Sequence, residues 1–275
     1  MKQRLPTIIL VLVFVIGLSL VLYPTIANLW NVSIQSRAIA DYDAQISDKT
    51  PEDFSREIQA AREYNEYLMT KADKYAMDEA EKEWYMSLVN LTGNGMMGHI
   101  EIPTLRLNQA LYHGTTEDVL QVAIGHIEGT SLPVGGPGTH VAISGHRGLP
   151  SARLFTDLDK LTEGDVFLLH VLGETFAYQI DQILIVDPSD VQALEIEAGK
   201  DYCTLVTCTP YGVNSHRLLL RGERVDYTQT LELMINVQAN ATKLDTLVVA
   251  PIIAAPLLLA MLIFLLIRYR KKDGK

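Results

Sequence analysis

The sequence predicts a mainly β domain, a closed or nearly closed barrel, preceded by helices and flanked by two membrane-spanning helices. Three observations predict it. From His99 to Val225 the chain reads as seven or eight short β-branched or apolar runs separated by turn residues. Ile34 to Leu91 is polar, charged and poor in glycine and proline, which is helical texture. Uncharged apolar blocks stand near both ends.

The first block has no charged residue from Leu5 to Gln35, and Thr7 to Tyr23 is almost continuously apolar. Residues 1–30 are therefore expected to be a transmembrane segment with a short cytoplasmic end. A cleaved signal peptide is the alternative, with Thr25-Ile26-Ala27 as a small-x-small site. The second block, 246–267, is 22 residues long. As a helix it spans roughly 33 Å, against a hydrocarbon core of about 30 Å.

Lys2 and Arg4 precede the first block, and a basic tail, 268–275, follows the second. Positive charge stays on the cytoplasmic side, so both termini are expected inside and the middle outside. The ends hold 7 of the 23 basic and 1 of the 33 acidic residues. That leaves 16 basic and 32 acidic residues between them, a net of −16. Such a surface excludes nucleic acid as a natural partner.

Between the spans, residues 31–92 form the helical region. Thr50-Pro51-Glu52-Asp53 is a helix start, with a hydroxyl cap, proline in the first turn and acids at the positive dipole end. Thr92-Gly93-Asn94-Gly95 is a break, and 93–226 is the barrel. Strands are expected at His99–Ile102, Leu107–Tyr112, Thr139–Ser144, Val166–Val171, Thr175–Val186, Tyr202–Thr207 and His216–Val225. Gly125 to Gly138 reads as loop and Phe155 to Leu161 as one short helix. Residues 227–245 form a helical linker back to the membrane.

The chemistry centres on Cys208. It ends a buried strand that Pro210 and Gly212 terminate, and Arg217 lies near the start of the next strand. A fixed positive charge favours the reactive thiolate. The ordinary alternative is a small buried hydrophobe. Cys203 lies five residues away on the same strand, so about 16 Å separates the two, with side chains on opposite faces. No disulfide is expected, because the bridge needs Cα atoms within about 7 Å.

Seven histidines are present, at 99, 113, 126, 140, 146, 170 and 216. None pairs with another at helical ligand spacing, no cysteine pair has zinc spacing, and no phosphate-cradling glycine motif occurs, so neither metal nor cofactor is expected. A serine-hydrolase elbow is also absent, since Ser144-Gly145-His146 lacks its form. His146, at a strand end between glycines, is the best partner for the cysteine; His126 and His140 are reserves. A thiolate to attack a carbonyl, an acid for the leaving amine and a donor for the oxyanion are then available from Cys208, His146 and Arg217.

These residues resemble the sortase family. Thr204-Leu205-Val206-Thr207-Cys208 with Arg217 is similar to its signature, and Ser144-Gly145-His146-Arg147-Gly148 to its histidine segment. The run Cys208 to Gly222, together with Gly95 to Pro103 and Gly125 to Gly136, resembles the class C, pilus-assembling branch. The resemblance implies an eight-stranded sortase barrel and a transpeptidase. The cysteine would cleave an LPxTG-like signal between Thr and Gly through a thioacyl enzyme. A lysine amine of another pilin subunit would resolve it. By the same resemblance Cys208 is the nucleophile, His146 the general acid/base, and Arg217 the residue that positions substrate and stabilises the oxyanion. Class C enzymes usually carry a lid with an aspartate-proline-aromatic motif. Asp73-Lys74-Tyr75 has its acid and aromatic but lysine for proline, so Asp73 and Tyr75 are candidates for an altered lid. A housekeeping sortase using a cell-wall peptide amine, and a non-catalytic membrane scaffold, are the alternative readings.

Overall fold

The structure is a computed structural model describing residues 5–227, 254–264 and 267. The chain divides into two units, one of residues 32–241 and one of residues 1–31 with 242–275.

In the apolar unit, residues 5–31 belong to helix α1, Leu5–Ser47, which contains Pro24. Its Ile8–Ser47 stretch has a mean hydropathy of 2.6 in its most apolar window and is long and apolar enough to cross a membrane. Of the expected second span only Ala254–Phe264 and Ile267 are described, both helical; the rest of 246–267 lies outside the described residues. The linker 227–245 and the tail 268–275 lie outside the described residues apart from Tyr227.

The larger unit is a closed antiparallel-rich barrel in the order β1-β2-β3-β4-β7-β8-β6-β5. The strands are β1 Met96–Ile102, β2 Leu107–His113, β3 Ile124–His126, β4 Thr139–Ser144, β5 Val166–Val171, β6 Glu174–Val186, β7 Asp201–Thr209 and β8 His216–Val225. Their inward rows, including Ile100, Val141, Ile143, Leu205 and Leu220, form one core around the stacked rings of Phe167 and Tyr178, 5.6 Å apart.

Two expectations differ from what forms. β3 falls in the stretch read as loop. It has only three residues and contains Gly125, whose added Cβ would lie 2.0 Å from the Gly114 carbonyl oxygen. Glycine is there for close backbone approach, which hides the strand from a pattern search. Phe155–Leu161 holds only a 3-10 turn, Leu158–Lys160. The Phe155 N–H donates to the His146 carbonyl, so the helical ladder never starts there.

The helices before the barrel pack on it. In α1, Gln35, Ile39, Tyr42 and Ile46 fall on one face and are buried, the apolar ones against Met96 and Ala110. The Tyr42 hydroxyl donates to Met97 O and accepts from Leu172 N, at 2.9 and 3.0 Å. Helix α2, Pro51–Thr70, begins with the expected cap, a reciprocal box between Thr50 and Asp53. Its buried Asn65 pairs with both backbone groups of Leu132, at 3.1 and 2.7 Å. Helix α3, Glu79–Ser87, buries Tyr85.

Tyr85 anchors a buried polar chain. Gly114 N–H donates to its hydroxyl at 3.0 Å, and the hydroxyl lies 2.9 Å from His126 Nδ1. His126 Nε2 lies 2.8 Å from the Ser131 carbonyl, so that nitrogen carries the proton and Nδ1 accepts from tyrosine. Burial pushes His126 down from 6.5 to about 4, against the smaller opposing pull of the Ser131 carbonyl. A histidine whose folded value is depressed gives stability that is complete above its unfolded value and lost as pH falls toward the folded one. His113 and His140 are lowered by burial in the same direction. Stability to denaturant should therefore fall by about 2 kcal/mol from His126 as pH falls from 7 to 4.5, with His113 and His140 adding in the same direction. Stability that is flat or rising across that window would contradict the assignment.

Candidate active site

The site is built by the register of three neighbouring strands. β7 alternates strictly. Cys203 and Leu205 point into the core, while Val206 and Cys208 stand on the outer face beside other groups. Cys203 is completely buried and burial raises its thiol well above its ordinary value; Cys208 is partly exposed. Both are free thiols.

Arg217 is directly opposite Cys208 in the antiparallel β7–β8 ladder, and opposite Val186 in the β6–β8 ladder. Its guanidinium donates to the His216 carbonyl at 3.3 Å. β4 runs parallel to β7 on the other side, with Ser144 opposite Val206. The same offset continues beyond the strand end. Gly145 N–H donates to Val206 O at 3.1 Å, and Thr207 Oγ1 donates to Gly145 O at 2.8 Å. His146 follows Gly145 directly, just past the end of β4 and beside the strand that carries Cys208. The three residues expected to act together thus come from the ends of adjacent strands on one side of the barrel.

The His146 backbone is fixed from several sides. An added Cβ on Gly145 would meet Phe155 Cγ at 2.8 Å and Ile124 Cγ2 at 2.9 Å. Arg147 was not singled out beyond its motif, yet it staples the loop. Its guanidinium pairs with Asp159, donates to Thr209 Oγ1 at 3.3 Å and lies 5.9 Å from the Tyr211 ring. An arginine after a catalytic-type histidine reads as surface charge; only the fold brings Asp159 and Thr209 to it. Another residue missed is Glu117, in helix α4, Glu117–Leu120. Its Oε2 lies 3.9 Å from His146 Nε2.

The reserve histidines are occupied elsewhere. His126 holds the Tyr85 chain, and His140 is held between Glu195 O and Thr204 Oγ1, at 2.9 and 2.7 Å. His216 is exposed and faces Asp187 at 3.8 Å.

Asp73 and Tyr75 lie in the connection between α2 and α3. The Asp73 carboxylate accepts from the N–H groups of Tyr75 and Ala76, both at 3.2 Å, which folds a local turn. Lys74 pairs with Glu195 in the β6–β7 connection. The Tyr75 ring lies against Gly129 in the β3–β4 connection. Burial first, then Glu195, pushes its hydroxyl up to about 12. This strap is thus pinned to the β6–β7 and β3–β4 connections.

Two surfaces lie near the end of β7, the first on the face of Cys208 and the second on the face of Thr209 and Leu218. Ala142, Val206 and Leu219 form an apolar patch on the outer face, covered in part by Leu194. A cavity of about 380 Å³ beside the end of β7 is lined by Arg147, Ile183, Ile185, Thr209, Tyr211 and Leu218 among others. Among the described residues no group of three or more His, Cys, Asp or Glu side chains is arranged to hold a metal ion.

Residues 100–225 match the Sortase domain family. Sortase C1 from Streptococcus agalactiae superposes with a TM-score of 0.67 at 52% identity, covering 69% of this chain and 98% of that one. Sortase C from Streptococcus pneumoniae gives 0.63 at 42% identity, with 70% and 97% covered. Sortase C from Clostridium perfringens, solved with a C-terminal cell wall sorting motif, gives 0.61 at 39% identity, with 70% and 99% covered. A free, outward-facing cysteine at the end of β7, an arginine opposite it, a histidine at the end of β4 and this similarity over nearly the full length of those structures place the chain in the sortase family of cysteine transpeptidases, among structural neighbours of class C.

Proposed function

We propose that this sortase polymerises pilin subunits at the outer face of the membrane. Cys208 is the nucleophile, His146 the general acid/base, and Arg217 the group that positions substrate and stabilises the oxyanion. The observation that supports the reading is the pairing of Arg217 directly opposite Cys208, with Gly145, the residue before His146, hydrogen-bonded to Val206 and Thr207 beside them. Two relatives support the substrate class. The S. pneumoniae structure concerns pilin substrate specificity, and the C. perfringens one contains a sorting motif.

In the first half-reaction the Cys208 sulfur attacks the carbonyl carbon between Thr and Gly of an LPxTG-like signal. Arg217 faces the charge that develops on the oxygen. His146 gives a proton to the leaving amine, the C–N bond breaks, and a thioacyl enzyme remains. The apolar patch of Ala142, Val206 and Leu219 is a surface for the apolar part of the signal. In the second half-reaction a lysine amine of another pilin attacks the thioester and the sulfur leaves.

The proposed organisation places residues 1–30 and 246–267 in the membrane, the barrel 93–226 and its helical prelude 31–92 outside, and both termini in the cytoplasm. One apolar helix of sufficient length supports anchoring. The second reading is attachment to a cell-wall peptide amine. The two separate on whether a lysine-bearing pilin or a wall-precursor amine resolves the thioacyl enzyme faster. A non-catalytic scaffold would keep its assembly role in Cys208→Ala and His146→Ala.

The strap carrying Asp73 and Tyr75 is proposed as an open, altered lid. Its partners are Gly129, Glu195 and its own backbone, and it lacks proline's fixed φ. A thiol reagent should then label Cys208 quickly, at a rate within about twofold of that in Tyr75→Ala, since a lid that covers less than half the time changes access by no more than that. Slow labelling that accelerates in Tyr75→Ala would contradict an open lid.

The central test is to incubate the protein with an LPxTG peptide and trap the thioacyl enzyme by mass spectrometry. An adduct on Cys208, absent in Cys208→Ala, is expected. No adduct, or one undiminished in Cys208→Ala, would end the proposal.

A further inference from the structure

The connection between β2 and β3 brings an acidic group to the site that no sequence motif marks. Glu117 Oε2 lies 3.9 Å from His146 Nε2. Its other oxygen accepts from Gln121 Nε2, one turn along α4. The carboxylate side chain is 71% exposed and the imidazole 29%, so the acid stands on the solvent side of the histidine. Among the described residues no lysine or arginine pairs with Glu117; the neighbouring Arg147 is taken up by Asp159.

The connection that holds this carboxylate is itself fixed. Gln35 of α1 is buried, donates to Val122 O at 2.6 Å and accepts from Ala110 N at 2.9 Å. One side chain thus ties the α4 connection to β2 and to the helix that leads toward the apolar segment.

An amine acceptor poses a problem that Cys208, His146 and Arg217 do not solve. A lysine side chain titrates near about 10.4, so it arrives as an ammonium ion. It must be drawn toward a site whose fixed charge, Arg217, repels it, and must then lose a proton. We propose that Glu117 is the acceptor-recognition residue, binding the incoming lysine ammonium and handing it to His146. This rests on the roles given above to Cys208 and His146. The ammonium gives one proton to the imidazole. The freed lone pair forms the C–N bond at the thioester carbon. The C–S bond breaks, the sulfur leaves with the electron pair, and the second N–H proton ends on it as the amide forms.

The test uses the full chain in detergent, loaded as the thioacyl enzyme from an LPxTG peptide. It is resolved either by a lysine-bearing peptide or by hydroxylamine, which is uncharged at the assay pH. An exposed charge pair contributes about 0.2–1 kcal/mol, so Glu117→Gln should lower the lysine-to-hydroxylamine rate ratio by up to about fivefold. The loss should appear in KM for the lysine peptide and shrink as salt is raised. Glu117→Asp should recover part of it. An unchanged ratio, including one in which both rates fall together, would overturn the inference while leaving Cys208 as nucleophile. Failure of the wild type to form any thioacyl enzyme would overturn both.

Discussion

Everything at the site depends on the pairing of β4, β7 and β8. A β-ladder fixes which residues stand side by side, and a slip of one residue moves every side chain to the opposite face. Here the antiparallel β7–β8 ladder sets Arg217 against Cys208, and the parallel β4–β7 ladder sets Ser144 against Val206. The inner rows, filled by Val141, Ile143, Leu205 and Leu220, make any slip costly because the core would be turned outward. Packing inside the barrel is thus what places Cys208 and Arg217 outside it. The Thr207 hydroxyl on the Gly145 carbonyl extends this control past the end of β4 to His146.

The remaining polar groups serve that frame. His126 and His140 are held on both ring nitrogens by hydrogen-bond partners, so each is a structural strut rather than a base. His146 differs, with a part-exposed ring and one carboxylate at 3.9 Å. The prelude is a further part of the frame. α1 and α2 reach the barrel through apolar faces and through three polar residues, Gln35, Tyr42 and Asn65, each bonded to backbone groups of the barrel. The helical region before the barrel is therefore packed onto it.

Much of this was legible in the chain. Thr139–Ser144, Val166–Val171 and His216–Val225 have the bounds their β-branched and apolar runs predict, because those runs are long and end at turn residues. The odd spacing of Cys203 and Cys208 foretold opposite faces, and the cap at Thr50 foretold the start of α2. The short strand β3 was not legible, since a three-residue strand around Gly125 has no periodicity to read. The missing helix at Phe155 reflects a tertiary hydrogen bond to His146 that outweighs local propensity. Glu117 and Arg147 carried no signal, because their roles depend on loops that meet only after the barrel closes. Lys74 seemed a defect in a lid motif; in the fold it pairs with Glu195.

The account stands or falls on the register at the end of β7. Directly opposite residues of an antiparallel pair have Cα atoms about 4.5–5.5 Å apart, within reach of a disulfide. In the full chain carrying Cys203→Ser, Arg217→Cys should form an intramolecular disulfide with Cys208 under mild oxidation, read by mass spectrometry. Leu218→Cys, which faces the core opposite Thr207, should not. A bridge to position 218, or none to position 217, would contradict the placement of Cys208 beside Arg217.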